Sequence, residues 1–383
     1  MDKPLTHILI IADGYPSKGL PYSAFIANIA QELTRQGMNV SVIAPQSLTK
    51  HWLRHIPLAP RYFTQEVEGR TIHIYRPYSI TAGDGRLGFI TRWSNRIVTT
   101  CTAKRLQTPD VVYAHFWLNA CLAIPYVRSK QLPLSVATGE DIIPIEQISN
   151  ADRVWLKEHT KAVICVSTKN KQESIKAELA EASRCHVLPN AYNPKEFYHE
   201  DGATMRKQLG IAADDFVVAF CGRFNERKGA FRIDAALKQL NDPHIKAIYI
   251  GSPMDNCKDE PNYEHIAFKG QLPHNEIVHY LNAADVFVLP SVAEGCPNSV
   301  IEAMGCGLPV ISSDLPFNDD IMDETNSLRV HPSDVNEIVE AILRMKKDKE
   351  LRKRLAQGAL TKAKDLRIEE RTKKILQLIQ QAK

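Results

Sequence analysis

The 383-residue chain has no apolar run approaching the roughly 18 residues that a membrane-spanning helix needs. Its opening, MDKPLTHILIIADGYP, has too short an apolar run and the wrong flanks for a secretory signal. A cytoplasmic protein is therefore expected, with a peripheral place on the inner face of the cell membrane left open. The eight cysteines (Cys101, Cys121, Cys165, Cys185, Cys221, Cys257, Cys296 and Cys306) form no CxxC pair. Their scatter through apolar runs argues against zinc or a disulfide framework and for small buried hydrophobes in a reducing compartment. No GxGxxG follows the first apolar run, and no GxxxxGK precedes a serine or threonine. The dinucleotide fingerprint and the P-loop are both excluded.

What the chain does contain is ordinary for a globular protein, 44% hydrophobic and 24% charged residues, with length enough for two domains. Charge is unevenly placed. Residues 1–190 hold 22 Lys and Arg against 15 Asp and Glu, a balance of +7; the remainder holds 26 against 29, a balance of −3. Much of the excess lies in residues 51–100, where Arg54, Arg61, Arg70, Arg76, Arg86, Arg92 and Arg96 face Glu66, Glu68 and Asp84. Such a stretch fits either a solvated surface or a basic face for anionic lipid headgroups or a phosphate-bearing acceptor. Nucleic acid is not expected, because the arginines are not interleaved with a recognisable binding motif.

Short β-branched runs alternate with helical patterns throughout, which predicts parallel sheets built from βαβ units. HILIIA, NVSVIAP, TIHIYRP, DVVYAH, LPLSVAT, AVICVS and RCHVLP read as strands of one sheet. FVVAFCG, IKAIYIG, HIAFKG, DVFVLPS, LPVISS and SLRV read as strands of a second. PNAYNPKEF, residues 189–197, breaks both periodicities and marks the junction. Domains are expected at 1–190 and 191–365. A helix at 366–383 would carry the apolar stripe Ile368, Ile375, Leu376, Leu378 and Ile379 back to the first domain.

Ligands of open parallel sheets collect beyond the carboxyl ends of the strands, so chemistry belongs in the loops there. SVAEGCPNSVIEAMGCG follows the strand DVFVLP. Its Pro297 is placed at the first position of a helix and Gly307 at the end. Glu294 then lies in the loop, and Glu302 shares a helix face with Asn298. Exposed amides at a helix start favour phosphate, and a carboxylate suits vicinal hydroxyls. Taken alone, the pair also fits one loop glutamate and one solvated helix glutamate. CGRFNERKG is a second strand-to-helix junction, with Arg223 and Lys228 where a departing diphosphate would need cations.

GRFNERKG, ADVFVLPSVAEGCPNSVIEAMGCGLPVISSD and VLPNAYNPKEF resemble segments of the family 4 retaining glycosyltransferases. ADGYPSKGLPYSAFIANIAQEL and DVVYAHFWLNA resemble more loosely the first domain of members that build bacterial surface polysaccharides. The resemblance implies the α/β GT-B fold, two Rossmann-like parallel-sheet domains facing a cleft, with C-terminal helices crossing back to the first domain. It implies a nucleotide sugar in the second domain, with Glu302 on the ribose and Arg223 and Lys228 on the diphosphate. Glu294 and the backbone of Gly295, Cys296, Pro297 and Asn298 would hold the transferred sugar; Gly222 and Ser299 complete the donor set. Gly14 would let backbone approach the donor phosphate, although the paired glycines of the family's first loop are reduced here to Gly14 and Gly19.

A second departure lies in SVATGEDI, where Thr138 stands in place of the family's histidine facing the anomeric carbon. His115 is either a substitute or a structural strand-end residue, and Glu140 and Asp141 are candidates for orienting an acceptor hydroxyl. No DxD triplet is present, so no metal is expected to bridge the diphosphate, and no other cofactor is expected. The function implied is transfer of a sugar, UDP-linked as the commonest donor, to a saccharide or lipid-linked saccharide with retained anomeric configuration. The rival readings are a non-catalytic nucleotide-sugar-binding protein and a sugar-nucleotide epimerase of similar architecture.

Overall fold

A computed structural model describes residues 4–17, 23–83, 87–253 and 258–382. Gly19, Arg86, Asp84 and Cys257 lie outside the described residues. Packing divides the chain into two units, Met1–Leu188 with Thr372–Lys383, and Pro189–Arg371.

The first unit contains β1 (His7–Ile11), β2 (Asn39–Ile43), the two-residue β3 (Gln46–Ser47), β4 (Tyr62–Val67), β5 (Arg70–Tyr75), the two-residue β6 (Tyr78–Ser79), β7 (Val111–His115), β8 (Leu134–Thr138), β9 (Thr160–Cys165) and β10 (Cys185–Val187). Eight of them form one sheet in the order β10-β9-β8-β7-β1-β2-β5-β4, parallel except for β4 against β5. Alternating residues feed opposite faces, as strand geometry requires. Ile8, Ile10, Val40, Val42 and Tyr113 pack on one side, and Leu9, Ile11, Val112, Ala114 and Val136 on the other. All seven sequence-predicted runs are strands here. The antiparallel β4 was not anticipated: Val67 pairs with Arg70 across Glu68 and Gly69, both at positive φ, the two-residue turn that favours hairpins.

The helices of this unit include α1 (Ala24–Arg35), α2 (Leu48–Arg54), α3 (Gly88–Ala103) and α4 (Trp117–Lys130). The chain's last helix, Ile368–Gln381, lays Ile375 and Ile379 into the core against β1 and α1 residues. Its residues up to Arg371 group with the second unit and those from Thr372 with the first. Tyr192 N donates to Leu366 O and Ile368 N to Tyr192 O, which fastens the start of the helix to the segment after the junction.

The second unit contains β11 (Phe216–Cys221), β12 (Ile245–Ile250), β13 (Ile266–Gly270), β14 (Val286–Leu289), β15 (Val310–Ser313) and β16 (Ser327–Val330). All six are parallel in the order β13-β12-β11-β14-β15-β16. The chain winds outward from β11 on one side and from β14 on the other. The reversal between these neighbours is the topological switch point, where a crevice opens between the loops leaving the two strands. In the first unit the equivalent reversal lies between β1 and β7. No helix among the described residues is long and apolar enough to cross a membrane.

Candidate active site

At the switch point of the second unit, the loop after β11 runs through Gly222–Gly229 into the helix Ala230–Leu240. The loop after β14 leads into the helix Asn298–Gly305. The two loops are stitched together: Val292 N donates to Arg227 O at 2.9 Å, Arg227 Nη1 to Ala293 O at 2.8 Å, and Arg232 Nη2 to Pro290 O at 2.8 Å. Gly229 makes this approach possible. Its φ is +80°, and a Cβ there would lie 2.7 Å from both the ring and the carbonyl oxygen of Pro290.

Glu294 is only 5% exposed. Its Oε1 lies 2.6 Å from Lys228 Nζ and accepts from Ser291 Oγ at 2.7 Å, while Oε2 is 3.4 Å from Arg227 Nη1. Two cations thus surround one buried carboxylate, leaving a net positive charge. Ser291 and Arg227 were not singled out from sequence, although both lie inside the quoted segments. Arg223 does not join this cluster. Its Nη1 donates to Ser252 Oγ at 3.0 Å and to Pro253 O at 3.1 Å, in the loop after β12.

Pro297 occupies the cap position immediately before the helix Asn298–Gly305, not its first turn, because its ψ of 105° is extended. Among the described residues no side chain caps this helix, so its leading amides, beside exposed Asn298 and half-buried Ser299, remain available to ligand oxygens. Gly295 and Cys296 are buried in the preceding loop, which Asn190 holds by donating from Nδ2 to Cys296 O at 3.2 Å. Gly222, the residue after β11, donates its amide to Ile250 O.

Glu302 has a partner that sequence reasoning missed. His274 Nε2 lies 3.8 Å from Glu302 Oε1, and its Nδ1 lies 3.0 Å from Glu196 Oε2. The carboxylates of Glu196 and then Glu302 push the His274 pKa up to about 10, outweighing desolvation. Burial and the charge of Glu302 also push the Cys221 thiol, at the end of β11, up to about 12. A folded-state pKa above the ordinary 6.5 means that charged His274 contributes stability in full below about pH 6.5, and that this contribution is lost as the pH rises through about 10. Between pH 7 and 10 the thermal midpoint of the parent is therefore expected to fall more steeply than that of His274→Gln. Parallel curves from differential scanning fluorimetry would contradict the assignment.

At the switch point of the first unit, Gly14 follows β1, and a Cβ there would lie 2.6 Å from Ser23 Oγ. His115, the last residue of β7, is buried with its ring 4.9 Å from Phe25 and 4.5 Å from Phe116. Glu140 lines the cavity beside α3 and α4, with both carboxylate oxygens accepting hydrogen bonds from the protein. Its Oε1 accepts from Trp117 N at 2.7 Å, and its Oε2 from Thr138 Oγ1 at 2.7 Å and Gly139 N at 2.9 Å. It thereby supplies the start of α4 with the carboxylate that the cap residue Phe116 lacks. Burial raises its pKa against these three bonds. Asp141 is half-buried beside it and accepts at its backbone oxygen from Lys169 Nζ at 2.8 Å. Among the described residues, four arginines of residues 51–100 have partners. Arg61 lies over the Tyr78 ring, Arg70 donates to Gly37 O, Arg76 to Tyr15 O, and Arg96 pairs with Asp152.

Two parallel-sheet α/β units of this kind are the GT-B fold. Among solved structures, sucrose-phosphate synthase from Thermosynechococcus elongatus superposes with a TM-score of 0.77 at 19% identity, over 98% of each chain. Anabaena HepE in complex with UDP and glucose gives 0.72 at 19% identity, over 98% of this chain and 100% of the other. Residues 201–362 match the family model described as glycosyl transferases group 1, and residues 23–196 that of glycosyltransferase family 4. A Bacillus subtilis relative named as putative teichuronic acid biosynthesis glycosyltransferase TuaC is 30% identical over 359 residues, 88% of each chain. The chain belongs to the group 1 glycosyltransferases, with a first unit of the family 4 type.

Proposed function

We propose that this glycosyltransferase moves a hexosyl group from a nucleoside diphosphate sugar, UDP-linked, to a hydroxyl of a saccharide or lipid-linked saccharide, retaining the anomeric configuration and using no metal. The observation that carries the reading is the buried Glu294 between Lys228 and Arg227, beside the uncapped start of the helix Asn298–Gly305. A carboxylate held in this way accepts hydrogen bonds from sugar hydroxyls. The adjoining cations and amides suit a diphosphate. Glu302 would hold the ribose and Arg223 would join Lys228 on the phosphates, turning from Ser252.

Retention follows from a same-face route. The acceptor oxygen bonds to the anomeric carbon as the bond from that carbon to the diphosphate oxygen breaks, and the acceptor's proton passes to the departing phosphate. Catalysis then lies in stabilising the charge that grows on the leaving group. Work at the cytoplasmic face of a membrane is supported by Trp52 and Leu53, exposed on α2 beside Lys50 and Arg54.

The test is to offer a panel of nucleotide sugars with EDTA present. UDP-sugars should raise the thermal midpoint and turn over, and NMR of the product should show the donor's anomeric configuration. An inverted product, or turnover abolished by EDTA, would refute the corresponding part of the reading.

A further inference from the structure

The two carboxylates at the second unit's switch point are held very differently. Glu294 is fixed by Lys228, Arg227 and Ser291. Glu302 has one ion-pair partner among the described residues, His274 at 3.8 Å. Without it the glutamate would keep its rotamer freedom until a ligand took that freedom away. On its other side lies the Cys221 thiol, which burial and the charge of Glu302 keep protonated and which offers no counter-charge.

His274 is itself well anchored. It opens the short turn His274–Glu276 that follows β13. Its Nδ1 lies 3.0 Å from Glu196 Oε2, and Glu196 Oε1 accepts from Asn193 Nδ2 at 2.7 Å. The buried Phe197 ring meets the imidazole edge-on, with centroids 5.1 Å apart. Two neighbouring side chains of the junction segment thus set the place of the ring, and Nε2 is left to Glu302. With the His274 side chain 46% exposed, the pair with Glu302 would contribute little to stability by itself. What it can set is where the carboxylate stands.

We propose that His274 is a positioning residue for nucleotide recognition: it holds Glu302 in the rotamer that meets the ribose hydroxyls, and Glu196 holds His274 in turn. The inference rests on the ribose role proposed for Glu302 above. A carboxylate offers about four acceptor directions, of which His274 occupies one at Oε1 and leaves the others to a vicinal diol. Ordering Glu302 before the nucleotide arrives removes that entropic cost from binding. His274 need not touch the ligand to have this effect.

Calorimetry on the full chain with UDP and with dideoxyuridine diphosphate, the analogue without ribose hydroxyls, separates this role from a structural one. The parent should bind UDP the more tightly, and Glu302→Ala should remove the preference. His274→Ala should weaken UDP about three- to tenfold and leave the dideoxy analogue within about twofold. Glu196→Gln, which keeps the imidazole but removes its charged anchor, should act in the same direction by about twofold or more. Equal weakening of both ligands would make the role of His274 structural only, and tighter UDP binding would show that the imidazole competes with the ribose; either result, or parental UDP affinity in either variant, would overturn the proposal. A Glu302→Ala variant that keeps the parent's preference for UDP would instead remove the ribose reading, and this proposal with it.

Discussion

Lys228→Ala is expected to lower turnover roughly 100- to 1,000-fold, the range seen when one preorganised donor to a developing negative charge is removed. Lys228 Nζ lies 2.6 Å from Glu294 Oε1, at the junction of the two loops that flank the second unit's switch point. An ammonium fixed there costs no reorganisation when a leaving diphosphate gains charge, whereas water replacing it would have to reorient. The substitution also leaves Glu294 with Arg227 at 3.4 Å and Ser291 as its remaining partners. Some loss of folding stability should accompany the loss of rate, and the thermal midpoint of the variant separates the two effects. Arg223→Ala is expected in the same range. Its bonds to Ser252 and Pro253 mean that it reaches a phosphate only by leaving them. Turnover within about threefold of the parent in both variants would remove the electrostatic role from this pair.

The parallel strands were legible because their signal is local. β-branched runs buried on both faces look alike wherever they occur, and each predicted run became a strand. β4 was illegible for the converse reason: an edge strand half in water carries weak alternation, and its pairing depends on two positive-φ residues, one of them Glu68. The candidate site was legible as far as a single loop carries it. Glu294, Lys228 and the helix start at Asn298 lie in segments whose strand-to-helix reading locates them. What the segments did not reveal was pairing. Arg223 and Lys228, five residues apart in one loop, turn to different partners because Ser252 lies on the neighbouring loop. Glu140 read as a cleft residue in sequence, but its bonds to the Trp117 and Gly139 amides and the Thr138 hydroxyl were not visible there. The ion pair between His274 and Glu302 joins elements remote in the chain, and only the packed sheet brings them within reach.

Glu302→Ala is expected to weaken UDP binding by roughly 2 to 4 kcal/mol, about 30- to 1,000-fold in dissociation constant, if two charge-assisted hydrogen bonds to the ribose are lost. Glu302 lies one turn beyond the uncapped amides of the helix Asn298–Gly305, on the same face as Asn298. A nucleotide whose phosphates meet those amides would present its ribose along that face. In the free protein the carboxylate already faces His274 at 3.8 Å, and the same imidazolium is held by Glu196 at 3.0 Å. Removing Glu302 therefore has a second consequence, independent of any ligand: His274 keeps Glu196 but loses a favourable charge, so its pKa falls below about 10. NMR titration of the His274 ring reads that change, and calorimetry with UDP reads the first. A lowered His274 pKa with an unchanged UDP dissociation constant would keep the contact and reject the ribose role. Weakened UDP binding in both Glu302→Ala and Glu302→Gln would instead tie recognition to the charged carboxylate, because glutamine fills the space and offers only one acceptor oxygen.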